Sequence, residues 1–311
     1  MQALLTDRAS TFLKALQQEL RTDDLLSLSS TAEEPAVELP RVRIADPTAL
    51  TNAEITAFSQ AFVSRSGMVA FECERTTSDD GVHPLVRLGE QIREHVPTYW
   101  AVANPSDGPD GTTKIHDTGT PQESRSLTSL GMAAHQDGWL SLPGVLSVTG
   151  LWADAAPLHA ASTYGQNIVR LALDLWRRDE EAFQSLFTDD AIVIRRTADG
   201  SVVATSPVLY TKNGWTHSFF REPNDEYEIS GGSREPAAIR AFEFLASRSH
   251  FGSKGSAFTK LDRTGRGLVF NNRHCIHGRT AFTDDQSAGK KRVIASKWWI
   301  SDPEHKNRSW G

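Results

Sequence analysis

Apolar residues recur at helical spacing near the start of the chain. Phe12, Leu13, Leu16 and Leu20 share one face of residues 6–20, which predicts an amphipathic helix. Thr51-Asn-Ala-Glu54 reads as a capping box, and Ile55, Phe58 and Phe62 follow it on one face of a second helix. Gly67 ends that helix, Met68–Cys73 reads as a short buried strand, and residues 84–95 return to the helical pattern with Leu85, Leu88 and Ile92. Residues 103–127 show no period. They are rich in Gly, Pro, Asp, Ser and Thr, and predict a long loop that serves either as a lid or as a plain surface connection.

From residue 128 onward the period shortens. Stretches 146–152, 191–196, 202–205, 257–261, 267–271 and 292–300 suit strands, interrupted by helical stretches at about 167–187 and 235–248. Many short strands with turn signals predict a β-sandwich or barrel of jelly-roll type, and the helices make the class α+β. There is no internal repeat, no alternating βαβ pattern and no Gly-rich nucleotide loop. The expected organisation is one domain over 1–311. It has a helix-rich cap with a strand in 1–100 and a core over 128–302, with a helical insert at about 164–250.

Composition narrows the function. A net charge of -6 gives no support to nucleic-acid binding. No apolar run approaches the roughly 20 residues that span a bilayer, and the first residues lack a basic region followed by an apolar one. The two cysteines, Cys73 and Cys275, do not make a disulfide framework, so a reducing cytoplasm is the expected compartment. The expected partner is a small molecule, and the oligomeric state is not legible.

Three pieces carry chemistry. In Ala134-His135-Gln136-Asp137-Gly138-Trp139, an extended backbone would point His135 and Asp137 to one face and Gln136 to the other. One imidazole and one carboxylate side by side are two arms of a metal site. Far downstream, GLVFNNRHCIHGRTAF (residues 267–282) runs from an apolar strand into a polar stretch with two histidines, His274 and His277, either of which could be a third arm. Two histidines and one carboxylate leave an iron ion half open, as an oxygenase requires for a co-substrate and O2. Arg292, in GKKRVIASKWW, offers a planar, permanently charged partner to a carboxylate.

In this order the pieces resemble the TauD/TfdA (clavaminate synthase-like) branch of the Fe(II)/2-oxoglutarate-dependent dioxygenases. FNNRHCIHGRTAF is similar to that family's distal histidine motif, and RVIASKWW to its co-substrate strand. The resemblance implies a double-stranded β-helix, a cupin-like jelly roll, with Fe(II), 2-oxoglutarate and O2 as cofactor and co-substrates. It implies His135, Asp137 and His277 as iron ligands and Arg292 as the anchor of 2-oxoglutarate, with Thr163 and Arg279 in support. The family's GGxT segment appears here as Ala160-Ala161-Ser162-Thr163, without the glycines. Where some relatives carry a second arginine this chain offers Lys297, so a taurine-like anion is not implied. Asp137 disfavours halogenation. The expected activity is hydroxylation of an unactivated C–H bond in an amino acid or amino-acid-derived natural product. Desaturation, epoxidation or cyclisation with the same cofactors is the alternative, and a metal-dependent hydrolase or a non-catalytic metal-binding protein is the reading from another class. Trp139, His217, Phe219 and Trp298 are the candidate substrate contacts.

Overall fold

The computed structural model describes residues 6–20, 22–28, 34–62, 67–95, 100–101, 106–119, 127–138, 146–232, 235–284 and 291–300. The first third contains α1 (Asp7–Leu20), β1 (Val37–Glu38), β2 (Arg41–Ile44), α2 (Asn52–Phe62), β3 (Met68–Cys73) and α3 (Pro84–His95). Then follow β4 (Trp100–Ala101), β5 (Thr113–Ile115), β6 (Met132–His135), β7 (Leu146–Ala155) and β8 (Ser162–Asn167). A mixed stretch holds α4 (Ile168–Arg178), α5 (Glu180–Ser185), β9 (Ile192–Arg196), β10 (Val202–Ser206), β11 (Leu209–Lys212), β12 (Trp215–Ser218), β13 (Tyr227–Ser230) and α6 (Pro236–Ala246). The chain returns to the main sheets in β14 (Ala257–Lys260), β15 (Arg266–Asn271), β16 (Cys275–Arg279) and β17 (Val293–Ile300).

The local causes are those in the sequence. At α2 the capping box is formed. The Thr51 backbone N–H donates to Glu54 Oε2 at 2.7 Å and the Glu54 N–H to Thr51 Oγ1 at 3.2 Å. Such a cap stabilises a helix by about 1 kcal/mol. The helix expected at 167–187 is two helices, because the Asp179 side chain accepts the Ala182 N–H at 3.0 Å and starts α5 anew. The expected helical insert at 164–250 is also corrected. Its first residues belong to β8, a central strand, and five short strands, β9 to β13, interleave with its helices.

Two larger sheets organise the molecule. One has the order β1-β14-β8-β16-β6. The other has the order β2-β3-β15-β7-β17-β4, with β5 also paired to β17. The helices cover the outer faces. Phe12 and Leu16 of α1, Leu171 and Leu175 of α4 and Phe183 of α5 pack on Ala134, Tyr164 and Ile276 of the first sheet. Phe58 of α2 and Leu85 and Leu88 of α3 pack on Phe71, Trp152 and Trp299 of the second. Burial of each large side chain contributes roughly 1.5–3 kcal/mol. Between the sheets, Ala257 of β14 and Leu261 just after it meet Met68, Leu151, Phe270 and Ile294. Gly165 of β8 has a reason to lack a side chain, since a Cβ there would stand 2.4 Å from Met68 Sδ of the facing sheet. The architecture is α+β, and no helix among the described residues is long and apolar enough to cross a membrane.

The expected loop over 103–127 is in part a wall. Residues 113–115 are β5, hydrogen-bonded to Ile294, Ala295 and Ser296 of β17.

Candidate active site

Sheet register assembles the centre of the site. His277 of β16 pairs directly with His135 of β6, and the two rings lie with centroids 4.7 Å apart. Alternation along β16 sends Ile276 into the core beneath the helices and His277 and Arg279 to the opposite side, into the cavity. Asp137 lies just past β6. Its Oδ1 is 3.6 Å from His135 Nε2 and 3.7 Å from His277 Nε2. The three donor atoms lie within 4.8 Å of one another. Donors bonded at about 2.1 Å to one cation stand roughly 3–4 Å apart, so the set has the dimensions to hold a metal ion.

The electrostatics agree with the donor chemistry. Burial disfavours the charge on Asp137, but the His277 and His135 imidazoles outweigh it and hold the carboxyl at about 2. Burial pushes His277 down to about 4, leaving a neutral imidazole at ordinary pH. His135 Nδ1 lies 3.0 Å from the Ala133 carbonyl, so its N–H donates there and the Nε2 lone pair faces Asp137.

Two buried amides hold this arrangement from behind. Gln136 points away from its neighbours, as alternation requires. Its Nε2 donates to Ser218 Oγ at 3.2 Å and to the Asn272 carbonyl at 2.7 Å, and its Oε1 accepts the Phe220 N–H at 3.0 Å. Asn272, in the turn between β15 and β16, clamps the Asp137 backbone. Its Oδ1 accepts the Asp137 N–H at 2.8 Å and its Nδ2 donates to the Asp137 carbonyl at 3.0 Å. The histidine-bearing strand and the His135–Asp137 segment are therefore tied through side chain as well as ladder.

The three donors open into a cavity of about 670 Å³. Arg292, immediately before β17, lines it at 4% exposure, and its Nη1 has no hydrogen-bond partner among the described residues. The guanidinium lies over the Phe282 ring, 4.7 Å from its centroid. Burial, with Arg279 nearby, lowers it to about 9, so it stays charged at neutral pH. Arg279 also lies over Phe282, on which it centres at 5.0 Å, and donates to the carbonyls of Leu130 and Thr128. Thr163 faces Arg279 across the β16–β8 ladder and lines the cavity.

The sequence-based substrate candidates divide. Trp298 lines the cavity, while Trp299 packs behind the sheet. His217 and Phe219 do not line it, which corrects that expectation. His217 is buried and stacked on Tyr210 at 5.3 Å, and Phe219 belongs to the helical core. His217 lies on β12 and Phe219 directly after it. Trp139 lies outside the described residues. His274 is held away from the donor set by Thr216 Oγ1 at 2.8 Å and Asn271 Nδ2 at 3.2 Å. Lys297 is buried and paired with Asp107 at 2.7 Å. Two residues that sequence reasoning passed over are Asn272, inside the FNNR segment but without any periodic signal, and Arg221, which lines the cavity from the segment after β12.

No family model and no curated protein matches this sequence. Solved structures do. The non-haem iron oxygenase OrfP, in complex with Fe, succinate and (3S)-hydroxy-L-Arg, is 16% identical. The match covers 82% of this chain and 83% of that one with a TM-score of 0.58. Asparagine oxygenase, with Fe(II), 2S,3S-3-hydroxyasparagine and succinate, is 13% identical over 96% of this chain and 93% of that one, with a TM-score of 0.52. A taurine dioxygenase from Burkholderia xenovorans is 13% identical over 87% of this chain and 92% of that one, with a TM-score of 0.51. The fold is thus one shared with these oxygenases. At such identities the likeness concerns the fold, and the chemistry rests on this chain's own residues.

Proposed function

We propose that this chain is an Fe(II)- and 2-oxoglutarate-dependent dioxygenase that hydroxylates an amino acid or a small amino-acid-derived molecule, on a jelly-roll core with an N-terminal helical cap. The observation that carries the reading is the pairing of two features in one cavity. Three converging donors with the chemistry of an iron site share it with a buried guanidinium whose Nη1 lacks a partner. Leaving a buried charged group without its hydrogen bonds costs several kcal/mol in order of magnitude, so Arg292 marks a place for an anion. The structural neighbours hold Fe, alpha-ketoglutaric acid or succinate, and hydroxylated amino acids, which agrees with this assignment.

His135, Asp137 and His277 would hold the iron, leaving the cavity side of the ion open. Bound there, Fe(II) supplies the activation of O2 that couples 2-oxoglutarate decarboxylation to substrate oxidation. Arg292, over the Phe282 ring, would hold the distal carboxylate of 2-oxoglutarate. Thr163 adds a hydroxyl to that pocket. Arg279, engaged with the Leu130 and Thr128 carbonyls, fixes the Phe282 ring and the start of β6. Trp298 lines the space in which the substrate's C–H bond is presented, so placement decides which hydrogen is removed.

The test is succinate release from 2-oxoglutarate after anaerobic reconstitution with Fe(II) and admission of O2. His135→Ala and Asp137→Ala are expected to abolish it. Full turnover by either variant would remove the assignment.

A further inference from the structure

Behind the wall of the three donors, the N-terminal helix reaches the turn that aligns them. Glu19, near the end of α1, has a side chain only 8% exposed although it carries a charge. Its Oε1 accepts the backbone N–H of Thr216 and, at 2.9 Å, the Thr216 hydroxyl. Its Oε2 stands 3.1 Å from Arg273 Nη1 and 3.8 Å from His274 Nε2. Arg273 is buried over the Trp215 ring, 4.6 Å from its centre, and among the described residues Glu19 is its ion-pair partner.

The hydrogen bonds run in one consistent direction. The Thr216 hydroxyl has a single hydrogen and gives it to Glu19, so it accepts from His274 Nε2 at 2.8 Å. His274 is kept neutral by burial, so its Nδ1 accepts from Asn271 Nδ2 at 3.2 Å. A carboxylate on α1 therefore ends a chain of hydrogen bonds that begins at Asn271. The same carboxylate pairs with Arg273. Between these two residues sits Asn272, which clamps the Asp137 N–H and carbonyl. The backbone of the turn is tied to the same neighbourhood, since the Ser218 N–H donates to the Arg273 carbonyl at 2.6 Å. Phe12, Leu13 and Leu16 already pack α1 on the core. A withdrawn charge beside them costs desolvation that packing alone does not require, and it is spent on holding this turn.

We propose that Glu19 is a positioning residue for the metal site, acting through Arg273 and the Asn271–His274 turn on Asn272, and so on Asp137. This rests on the function proposed above and adds the N-terminal helix to the groups that orient the donors.

The experiment measures Fe(II) affinity by anaerobic calorimetry and, on the chelator-treated protein, the urea midpoint. Glu19→Gln keeps the shape without the charge and should weaken Fe(II) binding about three- to tenfold. Leu13→Ala, a packing change on the same helix, should lower the midpoint and leave the affinity unchanged. In an Asn272→Ala background, Glu19→Gln should add little further loss, because both changes release one clamp. Glu19→Met/Arg273→Met removes both charges and serves if the single change unfolds the chain. It should keep the midpoint near that of the wild type and still bind Fe(II) more weakly. Unchanged affinity in both Glu19 variants overturns the proposal. So does an equal loss of affinity with Leu13→Ala, or full additivity with Asn272→Ala. Failure of the wild type to bind Fe(II) would instead overturn the underlying function, and this proposal with it.

Discussion

The two long walls of the cavity are fastened by different physics. On the wall of β6, β8 and β16, position comes from ladder register and from neutral amides. His277 faces His135 because the strands pair there, and Asn272 and Gln136 lock the segment with short hydrogen bonds. On the wall of residues 106–119, position comes largely from charge. Asp107 holds Lys297, Lys114 bridges Asp110 and Asp154, and Asp154 also meets His83 Nε2 at 2.8 Å. Amides in a dry interior fix geometry without a charge to desolvate. Ion pairs fix it at the cost of desolvation, and the exposed ones are weak. The wall that would hold a metal is fastened mainly by register and amides, with the Glu222 carboxylate on the Ala134 N–H and Tyr164 hydroxyl as a charged addition.

This contrast can be broken first at the most buried ion pair of the 106–119 wall. Lys297 and Asp107 have side-chain exposures of 6% and 11%. Lys297→Met, which removes the cation beside the Asp107 carboxylate, should destabilise the fold by about 3–5 kcal/mol, while the double change Lys297→Met/Asp107→Leu should cost much less. Urea unfolding of both variants measures it, and equal losses would show that packing rather than charge is at stake. Next is the amide clamp. Asn272→Ala should weaken Fe(II) affinity by roughly 10–100-fold, the range for residues that orient metal ligands, with little change in the unfolding midpoint of the metal-free protein. An unchanged affinity would show that the ladder alone positions Asp137.

A pH series sharpens the picture on the amide wall. Burial, with Arg273 nearby, holds His274 at about 3 against an ordinary 6.5. The unfolded chain therefore takes up a proton below 6.5 that the folded chain refuses. The stability this histidine contributes is fully present above 6.5 and is lost as the pH falls toward 3. At about pH 5 the loss should reach about 2 kcal/mol, and His274→Gln should flatten the dependence by that amount. The smallest effect is at the half-exposed pairs. Lys114→Ala should cost about 1 kcal/mol or less, and added salt should reduce the difference.

The same contrast explains what could be read in advance. Elements with a period were legible, and α1, α3, β3 and the pairing of faces around Gln136 followed from spacing of apolar and polar residues. The capping box at Thr51 set the start of α2. Within the long helical stretch at 167–187, the apolar pattern runs through Asp179 and hides the break that its side chain creates. The donor set was legible because two of its members sit two residues apart and the third lies in a patterned segment. Choosing His277 over His274 needed the family resemblance, since both follow the same strand. His217 and Phe219 were misplaced because the sequence does not show that β12 and the residue after it pack against the helical core. The partnerships Asp107–Lys297 and Asn272–Asp137 join residues far apart in the chain and have no periodic trace. Arg221 was hidden for the same reason, its segment being placed by bonds from the Glu222 backbone and side chain to Ala134.

The central claim is that one cavity holds Fe(II) at His135, Asp137 and His277 and a dicarboxylate between that ion and Arg292. Anaerobic calorimetry of 2-oxoglutarate against the Fe(II)-loaded wild type, His277→Ala and Arg292→Gln tests it directly. Binding by the wild type, loss with His277→Ala, and weakening of about 10–100-fold with Arg292→Gln are expected. Undiminished binding by Arg292→Gln, or binding that ignores the loss of His277, would contradict it.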